Sequence, residues 1–287
     1  MKPINIPVLA IGPGSQPAQE LELDYLPLPA AETFRMPLPP ENAALDDAAA
    51  SADAVEKLIE AMRGYRFGER NYPRFSLADM RENARRVLNE SLGQGEVSAI
   101  VRSSNGGSGW HIQETAFAGV WRVQRDGPDG ELAEDWVEAC DMPEAVVSCA
   151  RSAALPRFDP GRLPEGVMNA PALLREIQHQ ASVFRPGRGP HVVNLSMLPL
   201  TPADYAAINA LLGEGRVAIL SRGFGNCHIS STQVRGVWRV QYFNSMNTPI
   251  LDTIEVVDIP EAARAAAEDF SDSIGRLQEL LVWLREG

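Results

Sequence analysis

One hexapeptide occurs twice in this chain. Gly-Val-Trp-Arg-Val-Gln runs from Gly119 to Gln124 and recurs from Gly236 to Gln241, 117 residues later. The match extends without a gap from residues 110–145 onto 227–262, with 15 of 36 positions identical. That period is too long for a solenoid unit of about 20–50 residues. It predicts an α+β fold made by internal duplication of a helix-helix-antiparallel β-meander-helix unit, the copies related by pseudo-twofold symmetry. The expected boundaries are a Pro-rich N-terminal segment and linker over 1–50, a first α+β repeat over 51–160 and a second over 165–287. A function used once is then sought where the copies differ.

Composition narrows the classes. No apolar run approaches the roughly 18 residues of a membrane span, so no membrane insertion is expected. The first residues carry no apolar core of signal-peptide length, and a cytoplasmic protein is expected. Net charge is −12, which speaks against nucleic acid as partner and is compatible with a basic peptide. Nine of the 22 prolines fall in residues 1–40, where they preclude a long helix or a central strand.

Each half follows one plan. A first helix is predicted over 52–64, with Val55, Leu58, Ile59 and Met62 on one face, and its counterpart over 170–182. A second helix is predicted to start at Ser76, with Asp79 three residues on. Its counterpart starts at Thr201, with Pro202 and Asp204. Gly93 and Gly213 end these helices. Four β segments follow in each half, in the second near 217–222, 227–234, 236–243 and 250–257, giving two antiparallel sheets. Pro143 and Pro260 each open a further helix, and Phe270, Ile274, Leu277, Leu281 and Leu284 form the stripe of a long C-terminal helix.

Trp121 and Trp238 are core anchors, and Arg122 and Arg239 can bridge to Asp135 and Asp252 or to Glu138 and Glu255. Cys140 and Cys149 align with Val257 and Ala266 and are read as small buried apolar residues. Adjacent Cys227 and His228 face opposite sides of a strand, so one metal ion cannot easily take both; Cys227 remains available as one ligand for a partner's metal. Among His111, His179, His191, His228 and the three cysteines no catalytic motif occurs. No enzyme and no cofactor are expected. The halves differ most at the loops 103–109 against 222–226 and 127–130 against 244–249. The candidate partner-binding residues are therefore Phe224, Asn226, Cys227, His228, Asn244, Ser245 and Met246, with Met246 an apolar tip among amides.

Several stretches resemble the HupH/HoxQ (HyaF-type) family of [NiFe]-hydrogenase expression/formation proteins. They are residues 191–200, Leu212-Gly213-Glu214-Gly215, Gly223-Phe224-Gly225-Asn226-Cys227, residues 236–246 and residues 250–261, with Gly12-Pro13-Gly14-Ser15-Gln16 near the N-terminus. The residue after Asn-Cys, usually Arg in the family, is His228 here. The resemblance implies a cytoplasmic accessory protein, or chaperone, for maturation of uptake [NiFe]-hydrogenase. It would bind the iron–sulfur small-subunit precursor before export, beside a thioredoxin-like co-chaperone. The alternative is a metal or iron–sulfur cluster carrier using Cys227.

Overall fold

The computed structural model describes residues 44–103, 109–152, 164–223 and 225–286. The Gly-Pro-Gly-Ser-Gln run at 12–16 and Phe224 lie outside them. Helix α1 spans Leu45–Gly64 and α2 spans Glu82–Leu92; strands β1 to β5 are Arg74–Ser76, Val97–Val101, Trp110–Glu114, Val120–Asp126 and Leu132–Ala139. After α3 (Glu144–Arg151) and α4 (Ala170–Val183) come β6 (His191–Asn194) and α5 (Pro202–Leu212). Strands β7 to β10 are Glu214–Ser221, Asn226–Thr232, Val237–Phe243 and Pro249–Val256, and α6 is Ala267–Glu286.

The expectation of two sheets is corrected. Strand β2 pairs antiparallel with β7, from Val97 opposite Ser221 to Val101 opposite Val217, with Ala99 opposite Ile219 at the middle. All ten strands therefore form one antiparallel sheet in the order β1-β5-β4-β3-β2-β7-β8-β9-β10-β6. Each half contributes five strands rather than four, because β1 and β6 close the two edges. At three and four residues, these edge strands are too short to carry a period-2 signal.

Register is the same in both meanders. Trp121 lies opposite Glu138 and Gln124 opposite Asp135; Trp238 lies opposite Glu255 and Gln241 opposite Asp252. Of the two acids open to each arginine, the aspartate is the partner. Arg122 makes two hydrogen bonds to Asp135, at 2.8 and 2.6 Å, and Arg239 two to Asp252, at 3.0 and 2.6 Å. Such bidentate pairs lock both side chains at once.

One face of the sheet carries a core shared by both halves. It contains Ala99, Trp121, Val123, Ile219, Trp238 and Val240, together with Val146 and Ala150 of α3. The opposite face carries two separate cores. The first packs α1, α2 and α6 on the first half through Leu58, Leu88, Phe270 and Leu277. The second packs α4 and α5 on the second half through Leu174, Ile177 and Ile208. The repeated glycine serves this packing. Gly119 and Gly236 have φ of +76° and +71°, and a Cβ on them would lie 2.6 Å from the Phe270 ring and 3.2 Å from the Phe184 ring.

Two local expectations divide. Thr201 caps α5 as predicted: its hydroxyl accepts from Asp204 N, and Asp204 accepts from Thr201 N. Asp204 also accepts from the amides of Met168, Asn169 and Ala170 and so fixes the start of α4. Burial alone would raise this carboxyl, but the amides of Ala170, Thr201 and Met168 and the Thr201 hydroxyl hold it down to about 2. Ser76, by contrast, caps no helix. It ends β1 opposite Trp136, its hydroxyl accepts from Ala78 N, and α2 begins only at Glu82. The helix expected after Pro260 is also shorter, a single 3₁₀ turn at Glu261–Ala263 before α6.

Two straps cross the shared face in opposite directions. After β5 the chain runs through α3 from Asp141 to Arg151, and Arg151 pairs with Asp258 at 2.6 Å. After β10 it runs from Asp258 to Arg264, and Arg264 pairs with Asp141 at 2.5 Å. The foot of each strap is thus tied to the head of the other. Beyond Arg264, α6 passes to the helices of the first half.

Glu114, at the end of β3, is 7% exposed beside the place where α6 docks, and accepts from Gly119 N at 3.1 Å. Burial pushes its carboxyl up to about 7 against the Gly119 and Val97 amides, and Glu96 and Asp269 add to the rise. The folded state therefore holds this proton more tightly than the unfolded one. Its contribution is complete below about pH 4.5 and is lost as pH rises through about 7, a change on the order of 3 kcal/mol. Urea denaturation at about pH 5 and about pH 8 should show a loss of that order in wild type and a flatter dependence in Glu114→Gln.

Candidate functional site

The loops of the second half leave the sheet together. Antiparallel pairing of β8 with β9 sets Asn226 opposite Phe243 and Cys227 opposite Tyr242. The β7–β8 turn and the β9–β10 turn therefore emerge at one end. The short 3₁₀ turn Leu195–Met197 reaches the same end, because β6 runs antiparallel to β10 and Ser196 Oγ accepts from Asp252 N at 2.8 Å.

The candidate residues play different parts in this rim. Asn244 builds the hairpin: its Oδ1 accepts from Met246 N and Thr248 N, both at 2.9 Å. Its amide also donates to Thr248 O at 3.0 Å, and Asn247 adopts φ +61°. This closed turn lifts Met246 to 83% exposure, with Ser245 exposed beside it. Asn226 is exposed at the start of β8. The half-buried His228 ring lies against Phe243, with centroids 4.3 Å apart and planes at 38°. Burial lowers the His228 pKa, so the imidazole is neutral at neutral pH and supplies no cation where the resembling family usually has Arg.

Cys227 lies beneath the rim, at 2% exposure. Burial pushes its thiol up to about 12, against a hydrogen bond from Tyr242, with Glu255 adding to the rise. Cysteine reacts and ligates as thiolate, so this sulfur is held in its inert form. Among the described residues, no group of three or more His, Cys, Asp or Glu is arranged to hold a metal ion.

Three rim residues were missed by the comparison of the halves. Met197 is 82% exposed, Ile250 63% and Leu198 37%. For Met197 and Leu198 a signal was present in the run Leu195-Ser196-Met197-Leu198, which sits in a turn rather than a strand; Ile250, near the start of β10, had none. With Met246 they form an apolar fringe on one end of a sheet whose interior is closed, the kind of exposure that marks a contact surface.

Thiol accessibility follows from this geometry. Burial raises the thiols of both Cys140 and Cys149, but Cys140 is buried while Cys149 is only half-buried. Brief alkylation of native protein at about pH 8, read by peptide mass spectrometry, should label Cys149 first and reach Cys227 and Cys140 only after unfolding.

The family described as "HupH hydrogenase expression protein, C-terminal conserved region" matches residues 52–154 and 167–284. The chain is 42% identical to "Hydrogenase expression/formation protein HoxQ" of Cupriavidus necator, over 99% of both chains. It is 43% identical to "Hydrogenase expression/formation protein HupQ" of Azotobacter chroococcum, over 94% of both. A solved structure, "Hydrogenase expression protein HupH from Thiobacillus denitrificans", is 30% identical with a TM-score of 0.36, covering 40% of this chain and 95% of that one. The chain belongs to the HupH family of hydrogenase expression/formation proteins.

Proposed function

We propose that this protein is a non-catalytic accessory chaperone of uptake [NiFe]-hydrogenase maturation that holds the iron–sulfur small-subunit precursor in the cytoplasm before export. The names of its relatives support the maturation role. The observation that carries the binding role is the apolar fringe of Met197, Met246 and Ile250, exposed at 82%, 83% and 63% at one end of the sheet. Asn226, His228 and Ser245 supply polar contacts around it, and Phe224 lies in the same sequence stretch. Cys227 and Tyr242 support the rim from below. The net charge of −12 suits a precursor with a basic twin-arginine leader, and a thioredoxin-like co-chaperone would act alongside. The cluster-carrier alternative needs a thiolate at Cys227, and the burial of that thiol disfavours it.

The same reading includes an internal duplication, with a segment 1–50 followed by repeats 51–160 and 165–287 about a pseudo-twofold axis through the Ala99–Ile219 pair. Matching registers support it, as do the paired Arg122–Asp135 and Arg239–Asp252 bridges and the two stretches that match the family. The two copies would then differ at their rims because only the second contacts the precursor.

The test is capture of purified small-subunit precursor by the full chain. Met197→Asp with Met246→Asp should weaken capture about tenfold or more, since burying a charge against an apolar partner costs more than the roughly 1.4 kcal/mol of one decade. Both side chains are exposed, so the melting temperature should not move. Capture at wild-type strength by this variant would reject the rim as the contact.

A further inference from the structure

At the opposite end of the second half lies a cleft that this role leaves unused. A cavity of about 260 Å³ is lined by Ala150 and Arg151 of the first strap, by Phe184 and Pro186 after α4, and by Arg235, Gly236 and Asp258. A second cavity, of about 190 Å³, shares Phe184 and continues past Arg188 to His191 on edge strand β6. Each is smaller than the roughly 300–1,000 Å³ of a small-molecule site. The space suits one side chain of a larger partner rather than a whole cofactor.

The rim of the cleft has the opposite charge to the chain as a whole. Arg151, Arg185, Arg188, Arg216 and Arg235 gather here. Arg216 reaches Ser152 Oγ at 2.6 Å, and Arg185 donates to the carbonyl of Phe184 at 2.7 Å. Arg188 and Arg235 are exposed and have no acidic partner among the described residues. Of the acids near it among the described residues, Asp258 is paired with Arg151, on which Glu144 also acts, Glu176 is paired with His191, and Glu214 is exposed at the start of β7. Two guanidinium groups, Arg188 and Arg235, without a carboxylate partner among the described residues of a chain of net charge −12, call for anions from outside.

The other end of the sheet holds a filled version of the same place. Over Gly119, an added Cβ would meet the Phe270 ring at 2.6 Å and Ala265 Cβ at 3.4 Å. Over Gly236 the three nearest atoms among the described residues would be two of the Phe184 ring, at 3.2 and 3.4 Å, and the Val257 carbonyl oxygen at 3.6 Å. The filling segment of the first case continues into Glu268 and Asp269, acids next to its Phe270 anchor. The equivalence of the two ends rests on the duplication proposed above; the basic rim does not.

We infer that the cleft between Arg151, Phe184 and Arg235 is a second docking site, which takes an acidic peptide segment of a partner, one apolar side chain entering beside Gly236 while flanking carboxylates meet Arg188 and Arg235. It lies at the end of the sheet opposite the Met246 rim, so the two contacts are separable.

Fluorescence anisotropy of the full chain with a short fluorescein-labelled peptide of alternating Glu and Leu tests this. Binding should weaken about tenfold when Gln replaces Glu in the peptide, when Ala replaces Leu, and in the Arg188→Gln with Arg235→Gln variant. The Met197→Asp with Met246→Asp variant should bind the peptide as wild type does, which separates failure of this site from failure of the rim. Equal binding of the Gln peptide, or full binding by the arginine variant, would overturn the proposal. So would displacement by sulfate without dependence on the leucines, which would assign the cleft to a small oxyanion. A dimer lost in the arginine variant would likewise overturn it, in favour of a second copy of this chain.

Discussion

The β2–β7 pairing organises the molecule. It is a ladder of five residues on each side, with Val97, Ala99, Val101, Val217 and Ile219 buried in the core common to both halves. Without it there would be two five-stranded sheets, each with an open edge. With it there is, among the described residues, one sheet edged by the short β1 and β6. Because the pairing is antiparallel, corresponding loops of the two halves leave at opposite ends. The Met246 rim therefore stands apart from the 127–131 turn of the first half, and the basic cleft lies a strand's length away from that rim.

Stability and register come from different interactions. Trp121 and Trp238 are buried and donate to the carbonyls of Cys140 and Asp258, at 2.9 and 3.1 Å. Truncating either would cost about 3–5 kcal/mol. The strap pairs Asp141–Arg264 and Arg151–Asp258 are partly exposed, and such pairs contribute roughly 0–1 kcal/mol each. Their effect is geometric: each fixes where one strap leaves the shared face, and so where α6 and the basic cleft begin.

Much of this was legible in the chain, and the remainder was hidden for identifiable reasons. Thr201, Pro202 and Asp204 gave α5 its start because a capping box is a local device read from adjacent residues. Ser76 and Asp79 have the same spacing, but Ser76 is held opposite Trp136, a residue sixty positions away that no local pattern announces. Joining two meanders into one sheet was equally non-local. At the rim, unlike loops in like frames pointed to Met246 and Asn226. Met197 and Ile250 escaped because exposure of an apolar residue depends on what fails to cover it. The cleft assembles arginines from residues 151–235, and the buried Glu114 has Ser231 at its matching position; neither leaves a contiguous signature.

The placement of α6 has a consequence for synthesis of the protein. Leu58, Leu88 and Val120 of the first half are covered by Phe270, Leu277 and Leu284, which the ribosome adds last among the described elements. A nascent chain that has completed its first meander still presents a bare greasy flank to the cell. The molecule cannot close until residues 267–286 have emerged. Translation arrest anywhere before that point leaves a sticky intermediate that holdases and proteases would recognise.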